Sequence, residues 1–314
     1  QIRKTPIVVN DARFFYANRC IIPYINEGIR MVAEGVEPAL IENAAKLVGM
    51  PLGPLQLVDE TSIDLGVKIA KATRAAMGDA YPDGAVDEVI FRMADQGRLG
   101  RKANAGFYAY SDKGERLGLW EGLAAEWPVA DAQPDLAAVQ HRLLMAQVLE
   151  AVRALEDGVL TDIREGDVGA ILGWGFAPWS GGPFGWLDIL GAARAVEICD
   201  SLAASHGPRF AAPALLRDMA DGWRTALADH HERVAARPAG GEFLLHAGQA
   251  VQRAGESPLV DGALIEHHLR GAQHAPHRVP EAQHEVRRDR RGADRAADAV
   301  GAEVASAHGV FLSD

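Results

Sequence analysis

An all-α fold, in two tandem helical copies, is predicted by three features of this 314-residue sequence. Helical apolar spacing begins near Cys20 and again near His141, the second segment repeats landmarks of the first at a constant offset, and Gly- and Pro-rich turns separate the helices. At about 100 to 200 residues per domain, the length suits two domains or three small ones. Apolar residues make up 48% and charged residues 24%, an ordinary globular balance that excludes wholesale disorder and coiled-coil or collagen-like repetition. Acidic residues outnumber basic ones 43 to 32, and the net charge of −11 argues against nucleic acid or an anionic membrane as partner. Two cysteines, Cys20 and Cys199, are too few for a disulfide framework and point to a reducing compartment. There is no run of 18 apolar residues and no signal-peptide pattern, so no membrane span is expected.

Residues 6 to 9 form a short β-branched run closed by Asn10-Asp11, which reads as a buried strand and its exit turn. Because the chain opens on Gln1 with this strand under way, a fragment lacking an amino-terminal partner is expected. From Cys20 to Gly35 the positions Ile22, Ile25, Ile29 and Val32 fall at helical spacing, while Glu27, Arg30 and Glu34 are expected to face away. Pro23 fits such a helix only near its start or at a kink. Gly35 suits a C-cap, and Pro38 can open a second helix through Ile41, Ala44, Ala45 and Val48. Met50-Pro51-Leu52-Gly53-Pro54 cannot continue a helix, so a reversal is expected before a helix over Ile63 to Ala76.

The plan then recurs. A helix from His141 carries Leu144, Val148, Ala151, Val152 and Leu155 on one face, and Glu150, Arg153, Gly158 and Val159 repeat Glu27, Arg30, Gly35 and Val36 at an offset of 123. Gly53-Pro54 and Asp59 return as Gly182-Pro183 and Asp188 at an offset of 129, the difference being absorbed mainly in the loop Gly173 to Gly182. A duplicated helical domain accounts for both offsets. Residues 111 to 136 are polar with scattered prolines and contain the turn Ser111-Asp112-Lys113-Gly114, as a linker would.

After about Trp223 the composition changes: residues 225 to 314 hold nine of the eleven histidines, one isoleucine and no tyrosine, tryptophan or methionine. Such a stretch has little with which to build a core and is expected to be disordered or an out-of-frame product. His267, His268, His274, His277 and His284 crowd together there, but without helical i, i+4 pairing on an apolar backing or any cysteine they do not make a metal site, and no metal is predicted. No dinucleotide fingerprint occurs, since Gly173-Trp174-Gly175 follows a helical pattern and leads into prolines. No nucleophile-elbow spacing stands out, and His141 and His206 read as surface or capping residues.

Several segments resemble a known family. Lys4 to Asp11 followed by Phe14-Phe15-Tyr16-Ala17-Asn18-Arg19, Pro51-Leu52-Gly53-Pro54 with Asp59, Gly97 to Tyr108, and Gly175 to Phe184 resemble, in the correct order, the C-terminal domain of L-3-hydroxyacyl-CoA dehydrogenases, over residues 1 to about 222. A tandem pair resembles the multifunctional fatty-acid oxidation α subunit. The resemblance implies two 6-phosphogluconate-dehydrogenase-C-terminal-like helical domains: a remnant strand and hinge at 1–18, the first domain at 19–113, a linker at 114–136, the second domain at 137–222 and a tail at 223–314. It implies a role in oxidising the 3-hydroxyl of a fatty acyl-CoA with NAD as cofactor. The catalytic histidine and its orienting glutamate are expected in the absent nucleotide domain, so no catalytic residue is assigned here and the chain alone is expected to be inactive.

The resemblance further implies that Asn18 contacts the substrate oxygen, which its amide can do as a donor, although a helix N-cap is the alternative role. Lys102 matches a basic residue that reaches the nicotinamide dinucleotide; a solvated surface lysine is the alternative. Leu172 falls where α-subunit relatives often carry a substrate-contacting tyrosine. Ala12-Arg13-Phe14 replaces Pro-Gly-Phe of many relatives, and Ala103-Asn104-Ala105 replaces a segment richer in glycine. Single-copy relatives dimerise through the helical domain, so a tandem copy can supply the partner's apolar surface, with Leu144, Val148, Val152 and Leu155 as the stripe. The expected partners are an acyl-CoA and a thiolase β subunit, in the bacterial cytoplasm. The alternative from another class is a non-catalytic helical docking module for a β-oxidation partner such as thiolase.

Overall fold

The computed structural model describes residues 5–81 and 84–221. The described residues form eleven α-helices and one two-stranded antiparallel sheet, the all-α class the sequence predicts. They divide into two compact units, one made of residues up to 21 with those from 144 onward, the other of residues 22–143. The division falls inside the long helices α1 (Ala17–Ala33) and α7 (Leu136–Glu156). Each unit therefore combines the opening turns of one copy's long helix with the body of the other copy.

In the 22–143 unit, the chain turns out of α1 at Gly35, whose φ of +82° suits glycine and whose carbonyl accepts from Ala130 N at 2.9 Å and Gln133 Nε2 at 3.0 Å. Helix α2 (Pro38–Leu47) opens on proline, where a backbone N–H would lack an intrahelical partner, and buries Ile41, Ala44 and Ala45 as its spacing predicts. Helix α3 (Pro54–Thr61) is not foreseen in the sequence: Gly53-Pro54 breaks one helix but also starts the next. Helix α4 (Ile63–Met77) follows as expected, then α5 (Ala85–Asp95). Strands β1 (Tyr108–Tyr110) and β2 (Arg116–Leu119) pair antiparallel around the Ser111 turn, where Ser111 Oγ accepts from the N–H groups of Lys113 and Glu115. With α6 (Leu123–Glu126), this gives regular structure to part of the stretch that reads as a polar linker.

In the other unit, residues 6 to 9 do not form a buried strand. Val9 makes a single antiparallel bridge to Leu160, Asn10 N donates to Val159 O at 2.8 Å, and Val8 is 71% exposed, because no further strand lies alongside among the described residues. Helix α8 (Ile163–Trp174) is N-capped by Asp162, which accepts from Arg164 N at 2.9 Å, and stops at left-handed Gly175. Helices α9 (Pro183–Leu190), α10 (Ala192–His206) and α11 (Ala214–Asp221) complete it, with Val148, Val152, Phe176, Phe184, Leu187 and Phe210 in the core. No helix among the described residues is long and apolar enough to cross a membrane. The histidine cluster at 267–284 and the proposed tail from 223 lie outside the described residues.

Candidate functional site

The extended segment 5–10 turns into α1 through two consecutive left-handed residues, Phe14 (φ 68°) and Phe15 (φ 48°). For a non-glycine residue such backbone costs about 1–3 kcal/mol, so the surroundings must hold it. Tyr16 does so in part: it is buried, with its ring edge-on to Trp174 at 5.5 Å, and Trp174 Nε1 donates to Gln147 at 3.0 Å. Asn18 sits in the first turn of α1, half-buried, with no side-chain partner among the described residues. An N-cap role is thereby set aside, since α1 already begins at Ala17.

Next to it, Arg19 reaches two carboxylates of the other copy: Nε to Glu150 at 3.3 Å and Nη1 to Asp157 at 2.8 Å. Glu150 also accepts from Arg153 at 2.7 Å. The 22–143 unit carries the same set. Arg142 Nε donates to Glu27 at 2.8 Å, its Nη1 reaches Glu34 at 2.6 Å, and Arg30 lies 4.0 Å from Glu27. All four positions repeat at the offset of 123: Arg19 with Arg142, Glu27 with Glu150, Arg30 with Arg153, Glu34 with Asp157. In each set the arginine comes from one copy and its acids from the other. This corrects the expectation that Glu27 faces away: it is 2% exposed, and a charge so buried persists because a guanidinium meets it.

A second pair of carboxylates holds the Gly-Pro helices. Glu42 on α2 accepts from Leu55 N at 2.8 Å at the start of α3, and Asp167 on α8 accepts from Phe184 N at 2.8 Å and Gly185 N at 3.2 Å at the start of α9. A carboxylate suits these orphan N–H groups and the positive end of a helix dipole. A Cβ at Gly53 or Gly182 would stand 2.4 Å from Glu42 or Asp167, so both glycines are needed for close approach. Burial raises both acids, Asp167 to about 8.

Asp59, buried on α3, joins two motifs that lie far apart in sequence. Its oxygens accept from Phe107 N at 2.8 Å, Tyr108 N at 2.9 Å and Tyr110 Oη at 3.0 Å. A Cβ at Gly106 would lie 2.1 Å from Asp59 Oδ1, which explains that glycine in the 97–108 motif. Burial pushes Asp59 up to about 7 against the pull of these donors. The loop so held carries Lys102, exposed and paired with Asp64, beside Arg101, which reaches Glu60 at 3.0 Å. Burial alone would raise Asp64; the contacts with Lys102 and Ser62 outweigh it and hold its carboxyl below the usual range. Leu172, on α8, is 58% exposed, one helical turn from Val168, itself 40% exposed.

Asn18 and Leu172 thus belong to one unit and Lys102 to the other. Sequence reasoning passed over Arg19, Arg142, Glu42 and Asp167, although the offset of 123 already paired the two arginines. Among the described residues there is no cluster of three or more metal-ligating side chains, and the only sheet is β1–β2. No glycine-rich strand-to-helix turn is present among them to cradle a dinucleotide, and the Lys102 ammonium is already matched by a carboxylate, so these residues do not by themselves make an NAD site.

An all-α fold in which one pattern of arginine–carboxylate contacts recurs at an offset of 123 residues is the class that the described residues define. Within it, residues 15–110 match the family model for 3-hydroxyacyl-CoA dehydrogenase, C-terminal domain. Among solved structures, a 3-hydroxybutyryl-CoA dehydrogenase from Escherichia coli superposes with a TM-score of 0.53 at 21% identity, over 70% of this chain and 63% of that one. The dehydrogenase part of multifunctional enzyme 1 from C. elegans gives 0.51 at 24% identity, over 69% of this chain and 50% of that one. At these identities the likeness is one of fold, and the chain spans less than two thirds of either structure's length.

Proposed function

We propose that this chain supplies the helical part of an L-3-hydroxyacyl-CoA dehydrogenase of fatty-acid β-oxidation and forms one wall of its acyl-CoA site. The observation that carries the reading is Asn18, a half-buried amide without a side-chain partner among the described residues, presented by the first turn of α1 within the segment that matches the family. An amide N–H so placed can donate to the substrate's 3-oxygen as it gains alkoxide or carbonyl character. Leu172 offers apolar surface to an acyl chain in place of a hydrogen bond. The Lys102 ammonium, paired with Asp64, is read as a point charge near the nucleotide. NAD, when bound, supplies the hydride acceptor; the residues that would cradle it and the proton-accepting histidine are assigned to a separate nucleotide domain.

The reciprocal Arg19 and Arg142 sets favour a dimer-like pairing of the two copies, since each copy provides both the arginine and the acids. The same reading places the protein in the bacterial cytoplasm, with a thiolase subunit as candidate partner. The purified chain mixed with NAD and 3-hydroxybutyryl-CoA is expected to yield no NADH; sustained turnover would mean that the chain needs no separate nucleotide domain. Joined to such a domain, the Asn18→Ala variant is expected to lose about tenfold or more in kcat/KM. Unchanged kinetics would instead favour a docking role.

A further inference from the structure

We infer that Arg19 is a positioning residue, fixing the rotation of the first turn of α1 and hence the direction in which Asn18 presents its amide. The inference rests on the reading of Asn18 as the substrate contact. Burial of Tyr16 against Trp174 and of Cys20 anchors the entry to α1 on its core side, and Arg19 is the polar tether on the other. Phe14 and Phe15 hold unfavourable left-handed backbone, there is no acidic residue in the first turn, and Asn18 has no tether of its own among the described residues. Successive residues on a helix point about 100° apart, so a side chain clamped at position 19 fixes where position 18 looks. The clamp is two-pronged: Arg19 spans Glu150 and Asp157, seven residues apart on and just beyond α7. A planar guanidinium held at two points resists rotation in a way a single contact cannot. Arg153 steadies Glu150 from the other side and itself donates to Arg209 O and Ala211 O, each at 3.0 Å, which ties the clamp to the loop after α10.

The molecule contains its own control. Arg142 makes the equivalent clamp on Glu27 and Glu34, but the residue before it is His141 rather than an asparagine. A purely structural role would make the more buried Arg142 clamp the more consequential one and would give the Arg19 clamp no selective effect at Asn18.

The test uses the full chain, labelled with 15N at its five asparagines, the Asn18 side-chain resonance being assigned by its loss in Asn18→Ala. Asp157→Asn, distant in sequence from Asn18, is compared with its counterpart Glu34→Gln, and Arg19→Lys keeps the charge while losing the two-pronged geometry. In the free protein, Asp157→Asn and Arg19→Lys are expected to shift or broaden the Asn18 amide, and Glu34→Gln to leave it in place. Acetoacetyl-CoA is then added, with CoA as reference. The wild-type Asn18 resonance is expected to move, and acetoacetyl-CoA to bind about tenfold more weakly to Asp157→Asn than to Glu34→Gln. An Asn18 amide indifferent to Asp157→Asn in the free protein, or equal weakening by both acid variants, overturns the inference. A wild-type Asn18 that ignores acetoacetyl-CoA while still responding to Asp157→Asn sinks the substrate-contact reading and leaves the clamp.

Discussion

Replacing Arg142 by methionine isolates the cost of uncovering a buried charge. The Arg142 side chain is 4% exposed and that of Glu27 is 3% exposed, whereas Glu34 is 38% exposed. Breaking a buried pair by removing one partner costs about 3–5 kcal/mol, because the remaining ion keeps its desolvation penalty without its counter-charge. Two features pull the figure toward the lower end: Glu34 can rehydrate, and Arg30 remains 4.0 Å from Glu27. A loss of about 3 kcal/mol is therefore expected, or roughly 6–12 °C in Tm for a chain of this size. The corresponding change at Arg19, whose partner Asp157 is 57% exposed, is expected to cost about 1 kcal/mol. Adding Glu27→Leu to Arg142→Met removes the stranded carboxylate and should recover most of the loss. Urea unfolding of wild type and these variants followed by circular dichroism measures all of this. A single Arg142→Met costing under about 1 kcal/mol, or a double variant no better than the single, would refute the reasoning.

Gly106→Ala, whose Cβ would sit 2.1 Å from Asp59 Oδ1, should destabilise by about 3 kcal/mol, whereas Gly118→Ala, with nothing within 4 Å, should stay within about 0.5 kcal/mol; thermal melts compare them. Asp59 and Asp167 have folded-state values raised by burial to about 7 and about 8, above those of the unfolded chain, so the native state binds the extra protons. Their contribution is present at low pH and is lost as pH rises from about 4 through 7 to 8, at up to about 1.4 kcal/mol per pH unit for each group. Asp167→Asn should flatten the fall in urea midpoint between pH 5 and 8, and an unchanged slope would contradict it. Cys20 and Cys199 are both fully buried, and burial raises both thiols, so neither should react with a thiol reagent until the chain is unfolded; a rapid native-state reaction would show otherwise.

The helices were legible wherever one local rule sufficed. Proline at a helix start placed α2, and the spacing around Ile63 placed α4 to within a residue of its end. Helix α3 was not, because Gly53-Pro54 carries two opposite meanings and only the carboxylate of Glu42, eleven positions earlier, decides between them. Glu27 was misread for a related reason: amphipathic spacing treats every glutamate as outward-facing, while its burial depends on an arginine 115 residues away. At the site, Asn18, Lys102 and Leu172 came from resemblance alone. The clamps at Arg19 and Arg142 were written in the repeat offset, but two arginines 123 residues apart give no sign of a shared duty until their acids are located.

Those paired clamps also bear on how the halves of such a gene can drift. Because Arg19 and Arg142 each answer to acids spelled in the other copy, a change at either clamp is judged by its opposite number. The molecule records one such change: where one copy has Glu34, the other has the shorter Asp157, yet the arginine contact survives at 2.6 Å and 2.8 Å respectively. The position before each arginine is under no such constraint, being Asn18 in one copy and His141 in the other, while the clamps themselves keep a common grammar of charge.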